Sequence, residues 1–421
     1  MCFSLFRSQK PKPNTKPMGH FTTTTSRTTQ SNHSNNHSTT STTSNNHQSY
    51  SSQSKSSSIS SRTSLSSLKD SLPENPHIYD FSQIRAYTNN FLLKPLSSSS
   101  SSTSWVCVSN TKPSLVTQRK LRRPIDLPDL RLKLSLLCKS HHANIVKLYG
   151  ATVSGNYVYL VYEFVNGASL SDCLRNPRNP NFTVLSNWLS RISVAANVAD
   201  ALDYMHNCVA VGVRSGFVHN HLKSSSVIIC DETTLVAKIC HFGTAQLCGE
   251  VPETITTVGD DSENITVLKR VGSGVGKFEG TRGYMAPEFQ VTGVPTLESD
   301  VYAFGVVLLE LLSGKEPIKV DIDKRTGAFQ KVSLIEVAKE AVEGGTGKLR
   351  QWVDRRLRDS YPVEVAEGLA RVGLECVQED PRKRPDMGRV AGWISKLFLE
   401  SKTWAQSMGF PDDITVSLAP R

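Results

Sequence analysis

The stretch HNHLKSSSVI at residues 219–228 decides how this chain is interpreted, because it sets polar, chemically versatile residues between short apolar runs. Val218 precedes the stretch and residues 227–229 follow it, so a short strand is expected on each side of an ordered loop. A second segment, KICHFG at residues 238–243, again places a polar residue at the end of an apolar run. His221, Lys223 and His241 are therefore candidate functional side chains, since histidine exchanges protons near neutral pH and lysine contacts phosphate.

The surrounding chain changes from strand-like to helix-like patterns. The sequence predicts a short helix within 79–91, strands at 105–108, 115–120 and 157–164, and a helix at 127–139, where leucines recur at helical spacing. A longer helix is expected to begin at Ser186, its candidate N-cap, and helices dominate from residue 298 onward. A strand-rich half followed by a helix-rich half predicts an α+β, two-lobed fold.

Residues 1–76 differ in composition from the rest, because Ser, Thr, Asn, His and Gln dominate and aliphatic residues are scarce. Such a segment buries too little apolar surface to fold, so a disordered tail is predicted. Eight lysines and arginines oppose Asp70 and Glu74 in this tail, which therefore carries +6 of the net charge of +10. Charge held mainly in a tail is poor evidence for nucleic-acid binding. An anionic membrane surface or solubility explains it equally well.

Three further features predict a cytoplasmic protein. The nine cysteines show no paired spacing, which favours reduced thiols. The longest apolar run, residues 301–309, is ended by Glu310 and is too short to cross a bilayer. Residues 1–10 lack the apolar core of a secretory signal.

Several motifs occur in a fixed order: HANIVKLYG at 142–150, LVYEF at 160–164, GTRGYMAPE at 280–288, DVYAFGV at 300–306 and DPRKRP at 380–385. With the two segments above, they resemble a protein kinase domain of the plant receptor-like kinase family, closest to the LysM receptor branch. The resemblance covers about residues 79–400 and implies a small strand-rich N-lobe at 77–165 and a helical C-lobe at 166–400. The disordered basic tail predicted at 1–76 and a C-terminal tail at 401–421 lie outside it.

The resemblance assigns structural roles to six residues that match the family's pattern. Glu288 and Arg384 correspond to the buried ion pair that ties the activation segment to the C-lobe. Asp300 corresponds to the anchor of the catalytic-loop backbone. Three further residues match the hydrophobic column between the lobes and the end of the D-F-G segment: His219, Phe242 and Gly243.

The catalytic residues themselves depart from the kinase pattern H-R-D-L-K-x-x-N and D-F-G. His221 stands at the position of the catalytic base, Ser226 at the metal-binding Asn and His241 at the metal-binding Asp. Asn220 replaces the Arg that reads a phosphorylated activation segment, and only Lys223 keeps its catalytic identity. A neutral imidazole and a hydroxyl are poor ligands for Mg²⁺, so the resemblance predicts that the dedicated metal site is lost.

The nucleotide-binding elements depart as well. Ser99, Ser101 and Ser104 occupy the three positions of the glycine-rich loop, where only glycine lets the backbone close over phosphates. Arg119 or Lys120 occupies the position of the strand lysine, and Lys133 stands where its partner glutamate is expected. ATP is therefore expected to bind weakly if at all.

Two motifs suggest sites that the kinase pattern explains differently. The run GSGVGK at 272–277 resembles a phosphate loop but lacks the GxxxxGK[ST] spacing, so it is interpreted as activation segment. His219, His221 and His241 suggest a zinc site, yet the kinase pattern accounts for their positions without a metal. No metal is therefore predicted.

The N-terminus MCFSLFR resembles the acylated termini of plant receptor-like cytoplasmic kinases, although it lacks the glycine that myristoylation requires. Cys2 is a candidate for S-acylation, and the nearby basic residues would reinforce contact with a membrane surface. The prediction is a cytoplasmic protein held peripherally at the plasma membrane.

The functional hypothesis is a pseudokinase that acts as a scaffold or allosteric partner of active receptor-like kinases in plant immune or symbiotic signalling. The alternative is a divergent ATP-dependent serine/threonine kinase that uses Lys223, His221 and a relocated metal ligand such as Asp231 or Glu232. A third hypothesis, compatible with the first, is that a partner kinase phosphorylates the Ser/Thr-rich tail.

Overall fold

A computed structural model describes residues 77–99, 101–109, 112–179, 185–207, 216–230, 235–252, 280–322 and 329–409. The tail predicted at 1–76, including Cys2, lies outside the described residues, as do the 272–277 run, Asp231 and Glu232.

The N-terminal half is built around one mixed sheet. Its strands are β1 (His77–Ile78), β2 (Ser97–Ser98), β3 (Ser102–Ser109), β4 (Lys112–Lys120), β5 (Leu148–Ser154) and β6 (Tyr157–Glu163). Their spatial order is β1-β5-β6-β4-β3-β2, and β1 pairs with β5 in parallel. The antiparallel register places Leu115 of β4 opposite both Val106 of β3 and Tyr162 of β6.

Two helices cover this sheet. Helix α1 (Phe81–Tyr87) contributes Ile84 to a cluster that includes Trp105, Tyr159 and Phe91. Helix α2 (Leu127–Lys139) begins at Asp126, whose side chain accepts a hydrogen bond from the Asp129 amide at 2.8 Å. The bounds of α2 agree with the helix predicted at 127–139, because its buried leucines follow the 3.6-residue period.

The C-terminal half is mainly helical. Its helices are α3 (Leu170–Arg175), α4 (Trp188–Asn207), α5 (Thr244–Leu247), α6 (Pro287–Thr292), α7 (Leu297–Ser313), α8 (Leu334–Glu343), α9 (Gly345–Trp352), α10 (Val363–Cys376) and α11 (Met387–Ser407). Helix α7 is buried along nearly its whole length and packs against α10 and α4. Its apolar residues explain why this helix forms the centre of the core.

A small three-stranded sheet contains the end of the 219–228 segment. Strands β7 (Gly167–Ser169), β8 (Val227–Cys230) and β9 (Ala237–Ile239) pair antiparallel in that order. The 219–226 loop therefore enters β8, and residues 240–243 leave β9 beside it. The strand predicted at 227–229 is present, whereas Val218 is buried but lies in irregular structure.

Three details differ from the sequence predictions. Asn187 caps α4, since its side chain accepts a hydrogen bond from the Leu189 amide at 2.7 Å, so Ser186 is not the cap. Strands β10 (Ile318–Ile322) and β11 (Phe329–Ser333) form a hairpin in a region expected to be helical. Helix α11 continues to Ser407, and Ser401 accepts a hydrogen bond from Trp188 Nε1, so the boundary predicted at residue 400 falls inside a helix.

Within the part of the chain that the structure describes, no helix is both long and apolar enough to cross a membrane.

Candidate active site

The loop at 219–226 is held by a buried carboxylate from α7. Asp300 accepts hydrogen bonds from the His219 amide at 2.6 Å and from the Asn220 amide at 2.8 Å, and it also contacts His206 Nε2 at 3.1 Å. Asn220 has a positive φ of 62°, a conformation that asparagine tolerates better than most residues. The loop geometry is therefore fixed from the C-lobe.

His219 and Phe242 lie in the interior between the loop and β9. His219 Nε2 lies 2.7 Å from the Cys240 carbonyl oxygen, and the Phe242 ring packs edge-on against Phe217 at 5.6 Å between centroids. Gly243 follows with φ of 81°, and a Cβ there would meet Leu137 of α2 at 2.8 Å. Only glycine fits both the conformation and the space.

Glu250 lies at the centre of the site. Its carboxylate lies 2.7 Å from His221 Nε2 and accepts hydrogen bonds from Asn220 Nδ2 at 2.9 Å and from Arg119 Nη2 at 3.3 Å. Arg119 Nη2 also lies 2.9 Å from His221 Nε2. Three of the positions that depart from the kinase pattern thus converge on one carboxylate, and we call these four residues the Glu250 cluster.

The partners of Glu250 outweigh its burial in setting the pKa of its carboxylate. Burial by itself raises the pKa of Glu250, but His221 and Arg119 outweigh it and lower that pKa to about 2. Burial, followed by the charge of Arg119, lowers the pKa of His241 well below its usual value. Glu250 is therefore ionised and His241 neutral at neutral pH.

The residues at the metal positions do not fit Mg²⁺. Ser226 Oγ donates to the Lys223 carbonyl at 2.8 Å and accepts from the Lys223 amide at 2.9 Å, so this hydroxyl closes a local turn. His241 offers a neutral nitrogen, whereas Mg²⁺ prefers oxygen ligands in octahedral geometry. The carboxylate of Glu250 is already bound by Arg119 and His221. The nearby cations Arg119 and Lys223 would also repel a metal ion.

Lys223 contacts the activation segment, because its Nζ donates to Thr281 Oγ1 at 3.2 Å. Lys223, which still matches the catalytic lysine of the kinase pattern, therefore has a structural role in the observed conformation.

The serine loop satisfies its own hydrogen bonds. The Ser99 amide donates to the Ser102 carbonyl at 2.7 Å, and the Ser101 carbonyl accepts from the Lys120 amide at 3.4 Å. Ser104 is buried and its hydroxyl lies 3.0 Å from Thr117 Oγ1. In a glycine-rich loop, the backbone is free to close over phosphates. In this loop, hydroxyl and carbonyl groups form hydrogen bonds within the lobe instead.

Strand β4 directs alternate side chains toward the cleft. Leu115 lines a cavity of about 80 Å³ together with Tyr162 and His241. Residues 163–165, which connect the two lobes and are called the hinge here, also line this cavity. This volume lies below the roughly 300–1,000 Å³ that small-molecule sites usually span. Of the two alternatives for the strand lysine, Arg119 points into the site and Lys120 is exposed. Thr117 lies on the same face of β4 as Leu115 and Arg119.

Other predicted residues lie outside the Glu250 cluster. Arg384 and Glu288 form a bidentate ion pair, with Nη1–Oε1 at 2.6 Å and Nη2–Oε2 at 2.7 Å. Lys133 lies half-buried on α2, where the partner glutamate was expected. His219 and His221 are 6.5 Å apart between ring centroids. Among the described residues, no group of three or more His, Cys, Asp or Glu side chains could hold a metal ion, the three histidines included.

Sequence reasoning missed Glu250 and Leu115. Glu250 follows the 238–243 segment at a distance along the chain that matches no motif, and its position depends on the turn made by α5. Leu115 carried a detectable signal, because a large aliphatic side chain at the cleft-facing register of β4 predicts a filled pocket.

Comparison with known proteins identifies relatives of this chain. The model of the family described as protein kinase domain matches residues 118–392. The Arabidopsis thaliana protein LYK5 is 33% identical over 278 residues, which cover 65% of this chain and 38% of that protein. Chitin elicitor receptor kinase 1 of the same species is 34% identical over 275 residues, covering 65% of this chain and 39% of that protein. The chain thus spans about two fifths of the length of these relatives.

A solved structure shows the same fold. The pseudokinase domain of BIR2, described as an immune regulator of the RLK/Pelle family, aligns with a TM-score of 0.57 at 22% identity. The alignment covers 82% of this chain and 98% of the BIR2 chain. The two-lobed α+β fold and the resemblance to plant receptor-like kinases are thereby confirmed.

Proposed function

Because this chain belongs to the protein kinase domain family, we propose that it is a pseudokinase that transfers little or no phosphate and acts by binding other signalling proteins. The observation that supports this most strongly is the Glu250 cluster, in which Arg119, Asn220 and His221 bind an internal carboxylate. A kinase uses the equivalent region for a catalytic base, metal ions and phosphates. Here the region is occupied by side chains that neutralise one another.

Two further observations support the same proposal. The hinge cavity of about 80 Å³ leaves little room for an adenine ring. The residues that maintain the fold remain in place, including the Arg384–Glu288 ion pair and the Asp300 contacts. ATP would bind weakly and Mg²⁺ would lack ligands.

The proposed partners are active plant receptor-like kinases. The name of chitin elicitor receptor kinase 1 suggests signalling from chitin-type elicitors, and its kinase domain is the first candidate partner. Mixing this chain with that active kinase should change the partner's autophosphorylation rate and label the Ser/Thr-rich tail. If the chain neither associates with such kinases nor alters their rates, the proposed partnership is wrong.

The proposal for localisation is a cytoplasmic protein attached to the plasma membrane through S-acylated Cys2 and the basic residues that follow it. Cys2→Ser should move the chain from the membrane fraction to the soluble fraction. If the distribution does not change, acylation at Cys2 is not the anchor.

The experiment that tests the catalytic proposal is transfer of labelled phosphate from ATP, with Mg²⁺ or Mn²⁺, to the full chain and to a generic protein substrate. Lys223→Ala is the matched control, because Lys223 is the remaining residue with a catalytic identity. The proposal predicts no incorporation above this control. Incorporation that Lys223→Ala abolishes would instead support the competing function, a divergent serine/threonine kinase.

A further inference from the structure

A second cavity lies near the hinge and is larger than the one beside Leu115. Its volume is about 340 Å³, within the range typical of small-molecule sites. The segment 140–148, which joins α2 to β5, forms one wall, while Glu163 at the end of β6 and Lys238 of β9 form another. Hydrogen bonds from the Val146 amide to the Ile239 carbonyl at 2.9 Å and from the Ile239 amide to the Asn144 carbonyl at 2.8 Å hold these walls together.

The lining of this cavity is basic. Its lining residues include two lysines, Lys147 and Lys238, and two histidines, His141 and His142. Among the described residues, Glu163 is the one carboxylate in the lining, and its Oε2 lies 3.9 Å from Lys238 Nζ, at the outer limit of an ion pair. No carboxylate of the described residues pairs with Lys147.

The imidazoles add neutral hydrogen-bonding capacity. Burial, with the charge of Lys147, lowers the pKa of His141, and burial lowers the pKa of His142 although Asp200 opposes the shift. His142 Nδ1 accepts a hydrogen bond from the Asn144 amide at 3.2 Å, so the ring proton resides on Nε2. Stacking on Tyr204, at 5.1 Å between centroids, fixes the orientation of this ring.

We propose that this cavity binds a small anion that carries a phosphate or carboxylate group, with Lys147 and Lys238 as its charged contacts. The ammonium of Lys147 has no carboxylate partner among the described residues and supplies charge. Charge-assisted hydrogen bonds to such anions are among the stronger polar contacts. The site is separate from the Glu250 cluster, so its occupancy does not depend on the proposed loss of phosphate transfer. Because Glu163 and Phe242 also line it, the cavity lies between the end of β6 and the segment that follows β9.

The test is calorimetric titration of the full chain with sodium phosphate and, separately, sodium acetate, against sodium chloride at equal ionic strength. Lys147→Met keeps the length of the side chain and removes its charge, and it should weaken anion binding at least about tenfold. Lys348→Met is the matched control, because Lys348 is exposed on α9 away from the cavity, and it should leave affinity unchanged.

A gain-of-binding variant guards against loss through misfolding. Glu163→Gln removes the lining carboxylate and should tighten binding of the same anion, an effect that partial unfolding cannot produce. Stronger binding of phosphate or of acetate identifies the class of anion. Binding no stronger than that of chloride, or equal losses in Lys147→Met and Lys348→Met, would overturn the proposal.

Discussion

A buried carboxylate such as that of Glu250 stabilises a fold only while its cationic and hydrogen-bonding partners remain in place. Arg119, Asn220 and His221 each supply such a partner, and each occupies a position where the kinase pattern has another residue. The departures from that pattern are therefore connected physically, since all three serve one internal carboxylate. This view explains why restoring a single catalytic residue should harm the protein.

His221→Asp tests that idea at a single position. The new carboxylate would face Glu250, so we expect the free energy of unfolding to fall by about 3 kcal/mol, measured by urea denaturation. His221→Asn, which keeps a hydrogen-bonding group without the negative charge, should cost less. Adding His241→Asp should not produce robust phosphate transfer, because Lys133 still occupies the glutamate position of α2. A stable and active double variant would refute this explanation.

The low pKa of Glu250 predicts a specific dependence of stability on pH. The pKa falls from 4.5 in the unfolded chain to about 2 in the folded protein, so the stabilisation is complete above about pH 5. It is lost as the pH falls from about 5 toward 2, because the unfolded state takes up a proton first. Glu250→Gln should therefore lower stability by up to about 3 kcal/mol at pH 7 and by little near pH 2. A difference that stays constant between pH 7 and pH 2 would contradict this assignment.

At the scale of the element, helix α7 organises both the catalytic loop and the activation segment. Asp300 in its first turn holds the loop, and the carbonyl of Glu298 accepts a hydrogen bond from Arg384 Nη1 at 2.9 Å. Glu310 in its last turn contacts Arg175, Ser224 and Tyr284. Burial raises the pKa of Glu310 to about 7. The helix thus places the carboxylates of Asp300 and Glu310 inside the core, and both have hydrogen-bonding partners.

The Arg384–Glu288 pair allows an element-level test with a close control. Arg384 is buried and bonds both carboxylate oxygens of Glu288, so Arg384→Ala should cost about 3–5 kcal/mol by leaving Glu288 without its partner. Arg382, in the same turn, forms an exposed pair with Asp380, and Arg382→Ala should leave the melting curve unchanged. Equal effects of the two substitutions would show that burial does not set the strength of these pairs.

The elements differ in how far the sequence predicts them. Helix α2 follows from the spacing of its leucines, and β6 from its continuous apolar run. The hairpin of β10 and β11 was missed because its strands mix charged and apolar residues without a strong period. In the site, motif positions locate His221, Ser226 and His241, whereas Glu250 reaches His221 only through the tertiary path of the chain after Gly243. Sequence motifs reveal which residues were replaced, but only the fold reveals what the replacements bind.

At the scale of the whole molecule, the kinase framework is retained while residues at three of its catalytic positions bind one internal carboxylate. The core runs continuously from α2 through α4 and α7 to α10 and α11. Near the catalytic positions, Leu115 lines a cavity of about 80 Å³, and the Glu250 carboxylate is bound by Arg119 and His221. We propose that such a molecule keeps the framework of a kinase without its phosphate transfer.

The most direct test of this account is calorimetric titration of the full chain with ATP, in the presence and absence of Mg²⁺. The account predicts no saturable binding at micromolar ATP and no gain on adding Mg²⁺, because the cleft lacks both space and metal ligands. Saturable binding of ATP that requires Mg²⁺ would contradict it and would mean that the Glu250 cluster opens to admit a metal–nucleotide complex.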